Sequence, residues 1–167
     1  MSTFIGSPPA LNITKVIATR QTPSGAINGV GAGSANLVDT ISIPSPAANI
    51  AYKFLYKATT TGVVGQAVLL LRFSDGTNNS DVTINITQGT PSTNNCGGVI
   101  DIFPTATTKC IEFNTYQGNT SGQNIGAEVT LTAGSTWAAQ TSIKVMGYVG
   151  TSGSWTLDAY SFQQVQQ

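Results

Sequence analysis

The side chains of this sequence that could do chemistry are few. Seven carboxylates (Asp39, Asp75, Asp81, Asp101, Glu112, Glu128 and Asp158), two cysteines (Cys96 and Cys110) and seven basic residues are present, with no histidine. Without histidine the commonest general base and metal ligand are both missing, and neither cysteine has the imidazole that would generate a thiolate nucleophile. Glycoside hydrolysis needs two carboxyl groups facing one another across a cleft, and no spacing here selects such a pair. The segment DGTNNSD, Asp75 to Asp81, sets oxygen atoms at alternate positions as a calcium loop does. Its glycine is second rather than sixth, however, and Ile86 stands where the closing glutamate belongs, so a hairpin loop is expected. Seven scattered bases balanced by seven acids leave no electrostatic footprint for nucleic acid. The expectation is a protein with no catalytic residue, no cofactor and no metal, and not an enzyme.

The cysteines lie in NNCGGVIDIFPTATTKCIEF, Asn94 to Phe113. If VIDIF and KCIEF form a hairpin turning at Pro104 to Thr108, Cys110 faces about Ile102 and Cys96 sits roughly 20 Å further along the strand at ~3.3 Å per residue. A disulfide tolerates only ~4.4 to 6.8 Å between Cα atoms. The hairpin and a Cys96–Cys110 disulfide therefore exclude each other; the bond would require a closed excursion bending at Gly97-Gly98. Both alternatives stand at the level of sequence.

The elements that must position these residues read as strands. AYKFLYKAT alternates Tyr52, Phe54 and Tyr56 with Lys53, Leu55 and Lys57; DVTINIT sets Val82, Ile84 and Ile86 on one face. AEVTLT offers Val129 and Leu131, and SIKVMGYVG sets Ile143, Val145 and Val149 against Lys144, Met146 and Tyr148. SWTLDAYSF aligns Trp155 and Leu157 against Tyr160 and Phe162. Turn clusters such as SDGTNN and GTSGS separate these runs. The fold expected is all-β, an antiparallel, jelly-roll-like β-sandwich of about eight to ten strands. Residues 1–35, with Pro8, Pro9, Pro23 and a Gly-rich run, read as an extended N-terminal arm, and 36–167 as a single sandwich domain. One strand breaks the alternation: in QAVLLLRF both faces are apolar. It is expected either to be a covered central strand or, with Leu69, Leu71 and Phe73 outward, to join Pro8 and Pro9 in a subunit interface.

Charged residues are 8% of the chain and its net charge is zero. Ordinary soluble proteins carry roughly 25%. Thr, Ser, Asn, Gln and Gly fill the difference, which suits a surface facing the environment or packed into an assembly. The first twenty residues show no basic and apolar leader, and no apolar run approaches the ~20 residues that cross a bilayer. These features lead to the expectation of a structural protein of a virion, a bacteriophage capsid decoration (cement) or tail-associated protein. It would form a homo-oligomer, with a trimer favoured, on a partner such as a major capsid protein, away from nucleic acid and membrane. The alternative is a carbohydrate-binding module or lectin, with Trp137, in the loop TAGSTWAAQTS, as the glycan contact. No motif ties the sequence to a named family.

Overall fold

The computed structural model describes residues 14–43, 50–88, 94–106, 109–117 and 123–166, with the side chains of 14, 87, 88, 94, 104–129 and 166 outside that description. Its strands are β1 (Thr14–Arg20), β2 (Asn36–Ser42), β3 (Ile50–Val64), β4 (Gln66–Ser74), β5 (Asn79–Gln88), β6 (Asn94–Ala106), β7 (Lys109–Gln117), β8 (Gln123–Thr130), β9 (Ser142–Val149) and β10 (Ser152–Gln166). They build an all-β sandwich. The larger sheet has six strands in the order β1-β10-β3-β6-β7-β8, and the smaller has four, β2-β9-β4-β5, each strand antiparallel to its neighbours.

The alternation of β3 explains the core. Tyr52, Phe54, Tyr56 and Ala58 point inward and are buried, while Lys53, Leu55 and Lys57 point outward. Facing them from the smaller sheet are Leu69, Leu71 and Phe73 of β4, Val82, Ile84 and Ile86 of β5, and Ile143, Val145 and Val149 of β9. Aromatic rings knit β3 to β10 within the larger sheet: Phe54 stacks on Tyr160 at 5.1 Å between centroids and Tyr52 on Phe162 at 5.2 Å. Each fully buried large side chain of this kind contributes about 1.5–3 kcal/mol.

Four expectations change here. Leu69, Leu71 and Phe73 are not an outward interface; they belong to the core, because the register of β4 on β5 and β9 turns them inward. The outward residues Val68 and Leu70 are buried as well, flanked by Tyr148, Met146 and Thr83 on the neighbouring strands. The apolar strand is thus closed within one chain. Second, the sandwich does not begin at Asn36. β1 pairs with β10, and Ile27, from the Gly-rich run, is 1% exposed and exchanges two backbone hydrogen bonds with Trp155 (2.8 and 3.0 Å). The run is held as a built corner, in which Asn36 Oδ1 accepts from the backbone N–H groups of Asn28 and Gly29. Pro8 and Pro9 lie outside the described residues.

Third, Trp155 and Leu157 do not oppose Tyr160 and Phe162. Leu157 pairs with Ala58 and Ala159 with Lys57, so Asp158 is an extra residue, a β-bulge that resets the alternation and turns all four inward. The Trp155 indole fits because β9 has Gly147 beneath it: a Cβ there would lie 2.2 Å from Trp155 Cζ2. Its Nε1 donates to the Tyr148 carbonyl at 3.1 Å. Fourth, Trp137 is no surface ring. The loop folds back through a 3₁₀ turn at Trp137–Ala139, leaving the indole 3% exposed between Tyr52 and Phe73, with ring centroids 5.7 and 5.5 Å away. It cannot reach a glycan from there.

Candidate functional site

The described carboxylates are dispersed, each with its own partner. Asp39 accepts from Arg20 Nη1 at 2.9 Å and from the Tyr160 hydroxyl at 3.1 Å, clasping the two sheets together. Burial, reinforced by the Asp39 charge, pushes Tyr160 up to about 12. Asp81 takes a two-pronged contact from Arg72 at 2.7 and 2.8 Å, and Asp101 lies 3.4 Å from Lys53. Asp75 is committed to its own turn. It accepts from the backbone N–H groups of Thr77 and Asn78 at 2.8 and 2.6 Å, which hold its carboxyl well below the ordinary range. That is the hairpin loop expected of DGTNNSD. Among the described residues no cluster of three His, Cys, Asp or Glu converges to hold a metal ion. Glu112 and Glu128 lie outside the described side chains.

Cys96 is a free, buried thiol, with Sγ 3.5 Å from the Ala58 carbonyl oxygen. Burial, then the Asp158 charge, pushes it up to about 11, so it stays protonated at neutral pH and is no nucleophile. The β6–β7 hairpin is formed: Pro104 pairs with Cys110, eight residues along β6 from Cys96. The Cys110 side chain lies outside the described residues.

Among the described residues a concavity lies on the outward face of the larger sheet. Lys57 of β3 pairs with Ala159 of β10 on one side and Gly97 of β6 on the other, so both its neighbours in that row are almost without side chain. Gly97 is required by the backbone as well, since a Cβ there would lie 2.8 Å from the Tyr56 carbonyl oxygen. A hollow opens on each side. One, of about 480 Å³, is lined by Tyr56, Lys57, Asn95, Cys96, Gly97, Gly98 and Val99. The other, of about 250 Å³, is lined by Gln21, Leu55, Tyr56, Lys57, Ala159, Tyr160 and Ser161. Both are lined by Tyr56 and Lys57, and together they make a shallow trough running across the strands. Neighbouring strands are ~4.8 Å apart, so the floor from β10 to β6 spans roughly 10 Å.

The two walls differ. One is the row Ser161–Leu55–Val99, largely apolar; the other is Thr156–Thr59–Asn95 with the bulged Asp158 beside it. Thr59 and Thr156 both lie within hydrogen-bond distance of the Asp158 carboxylate, at 2.7 and 2.8 Å. Among the described residues the Lys57 ammonium has neither an ion pair nor a hydrogen bond, whereas Lys53, two outward positions away, is paired with Asp101. The trough therefore offers one free cation, a ridge of methyl groups and a line of hydroxyl, amide and carboxylate groups.

No protein-family model matches the sequence, and no curated protein matches it. Solved structures share its architecture. Arcelin-5, a lectin-like defense protein from Phaseolus vulgaris, superposes with a TM-score of 0.51 at 10% identity over 93% of each chain. The CBM2 module of the evolved Dit of Lactobacillus casei BL23 phage J-1 gives 0.49 at 6% identity, over 93% of this chain and 98% of the module. The lectin UEA-II in complex with galactose gives 0.39 at 9% identity, over 95% of this chain and 84% of the lectin. At 10% identity the likeness to arcelin-5 is one of fold.

Proposed function

We propose that this chain is a non-enzymatic binding module of a virus particle, a tail-associated or capsid-decorating bacteriophage β-sandwich that holds a saccharide in the trough around Lys57. The observation that carries the reading is the pairing of unlike walls on either side of the row Ala159–Lys57–Gly97, whose one long side chain is Lys57. A pyranose ring has an apolar C–H face and a rim of hydroxyls, and Leu55 and Val99 suit the first as Asn95, Thr59 and Asp158 suit the second. The low surface charge supports a setting on a particle exterior. The likeness to arcelin-5 is of fold alone, and a fold does not carry a function with it.

The test is electrophoresis of the protein through gels containing soluble polysaccharides, beside Ala159→Trp, which fills the second hollow. Retardation of the wild type, lost in a variant with unchanged melting temperature, is the expected result. Equal mobility of both proteins in every gel overturns the saccharide reading. A second reading, as a cement protein acting through subunit contacts, draws on Val30 and Leu37. They are 53% and 57% exposed beside β9. Light scattering after size exclusion would then give a trimer that Leu37→Asp dissolves, whereas a monomer disfavours self-assembly.

A further inference from the structure

The hydrogen-bond directions in the polar wall say what kind of saccharide it takes, an inference that rests on the saccharide reading of the trough. Thr59 Oγ1 lies 2.7 Å from Asp158 Oδ2 and 3.0 Å from Asn95 Oδ1. A hydroxyl has one proton to donate, and the ionised carboxylate is the stronger acceptor. Asn95 can then engage Thr59 only by turning its amide over, so that Nδ2 donates to the Thr59 oxygen and Oδ1 points away. The second oxygen of Asp158 accepts from Thr156 Oγ1 at 2.8 Å. Both threonine protons and one amide proton are thereby spent inside the wall.

What the wall still offers outward is mostly acceptor: Asn95 Oδ1 and the lone pairs of Asp158 that the threonines leave unfilled, about two of the carboxylate's four. We infer that the trough recognises a neutral saccharide carrying two adjacent hydroxyl groups, which donate to Asp158 and Asn95 Oδ1, while Lys57 donates to a neighbouring sugar oxygen. A sugar carboxylate set against this wall would face the Asp158 charge and bring no proton to it, so an acidic group is disfavoured at this position even with Lys57 in the same trough. Thr59 is a positioning residue in this scheme; it orients Asn95 and Asp158 and need not touch the sugar.

Affinity electrophoresis decides it, with dextran, mannan and galactan as neutral probes, polygalacturonate as the acidic probe, and neutral polysaccharides cleaved at their vicinal diols with periodate and then reduced. The wild type is expected to be retarded by a neutral polysaccharide, to lose that retardation after periodate cleavage, and to run freely in polygalacturonate. Thr59→Val should weaken binding about tenfold, the worth of a lost hydrogen bond to a charged group, and Thr59→Ser should restore it. Retardation by polygalacturonate, or by a neutral polysaccharide whether or not its diols are cut, overturns the diol inference and leaves the saccharide reading standing. Thr59→Val binding as the wild type does overturns the relay. Free migration in every gel, by the wild type and Ala159→Trp alike, overturns the saccharide reading itself.

Discussion

On the smaller sheet the central strand β4 sends bulky residues outward as well as inward. Val68 and Leu70 are at most 1% exposed, and the Arg72–Asp81 ion pair continues their row of outward positions. On the larger sheet the corresponding central strands put Lys57 and Gly97 outward and leave the trough open. Both sheets present an equally regular inner face, so the hydrophobic core does not distinguish them. The difference lies in side-chain volume on the faces that packing leaves unconstrained. One outer face buries its bulky residues, and the other is left with room for a guest.

Substitutions on the two faces should separate most where the burial is deepest. Leu70→Ala is expected to cost ~2–5 kcal/mol in urea denaturation, as for a core leucine, and Leu55→Ala, partly buried on the trough wall, clearly less. Equal costs would erase the distinction between the faces. Arg72→Ala should lose ~1 kcal/mol or less, because both partners of the pair are partly in water, and 0.5 M salt should shrink the difference further.

The inward tyrosines sharpen the comparison from the alkaline side. Tyr52 and Tyr160 are both raised from 10.0 to about 12, Tyr52 by burial and Tyr160 by burial and then Asp39. A raised folded value means that their contribution is complete below pH 10 and is lost as the pH climbs through 12. Melting temperature should fall over that interval, and Tyr160→Phe should flatten part of the fall. The smallest effect belongs to Asp75, whose carboxyl is held below its ordinary 3.8. Its contribution is present above that value and declines as acid brings the pH below it. Melting curves between pH 6 and 2 should show Asp75→Asn losing less stability than the wild type over the acid limb.

Most of the fold was legible where alternation is unbroken. Tyr52, Phe54 and Tyr56 on β3 and Val82, Ile84 and Ile86 on β5 declared their inward face through period two alone. β10 was not readable that way, since a bulge adds one residue and nothing in LDAYSF marks Asp158 as the extra one. Composition misled at the N-terminal corner. Glycines there read as part of an extended arm, whereas they sit in a loop tied by Asn36 and by the Ile27–Trp155 bridge. It misled again at Trp137, because a loop between strands can carry its aromatic back into the core. The trough left no local signal at all. Its floor joins residues 57, 97 and 159, which become neighbours only through the order of strands in the sheet.

That strand order also bears on how the chain reaches its shape. β10 comes after every other described strand in sequence, yet it lies in the interior of the larger sheet, between β1 and β3. Among the described residues β1 has no other sheet partner, and Ile27 must wait for Trp155. As the chain leaves the ribosome, β1 stays without its described partner until β10 is available. Closing so long a loop makes for slow folding and leaves the exposed edge of β3 open to a wrong partner meanwhile. A chain stopped after Val149 would lack the strand that joins β1 to the rest of the sheet, and the fraction of it that stays soluble would measure how far the sandwich depends on that late insertion.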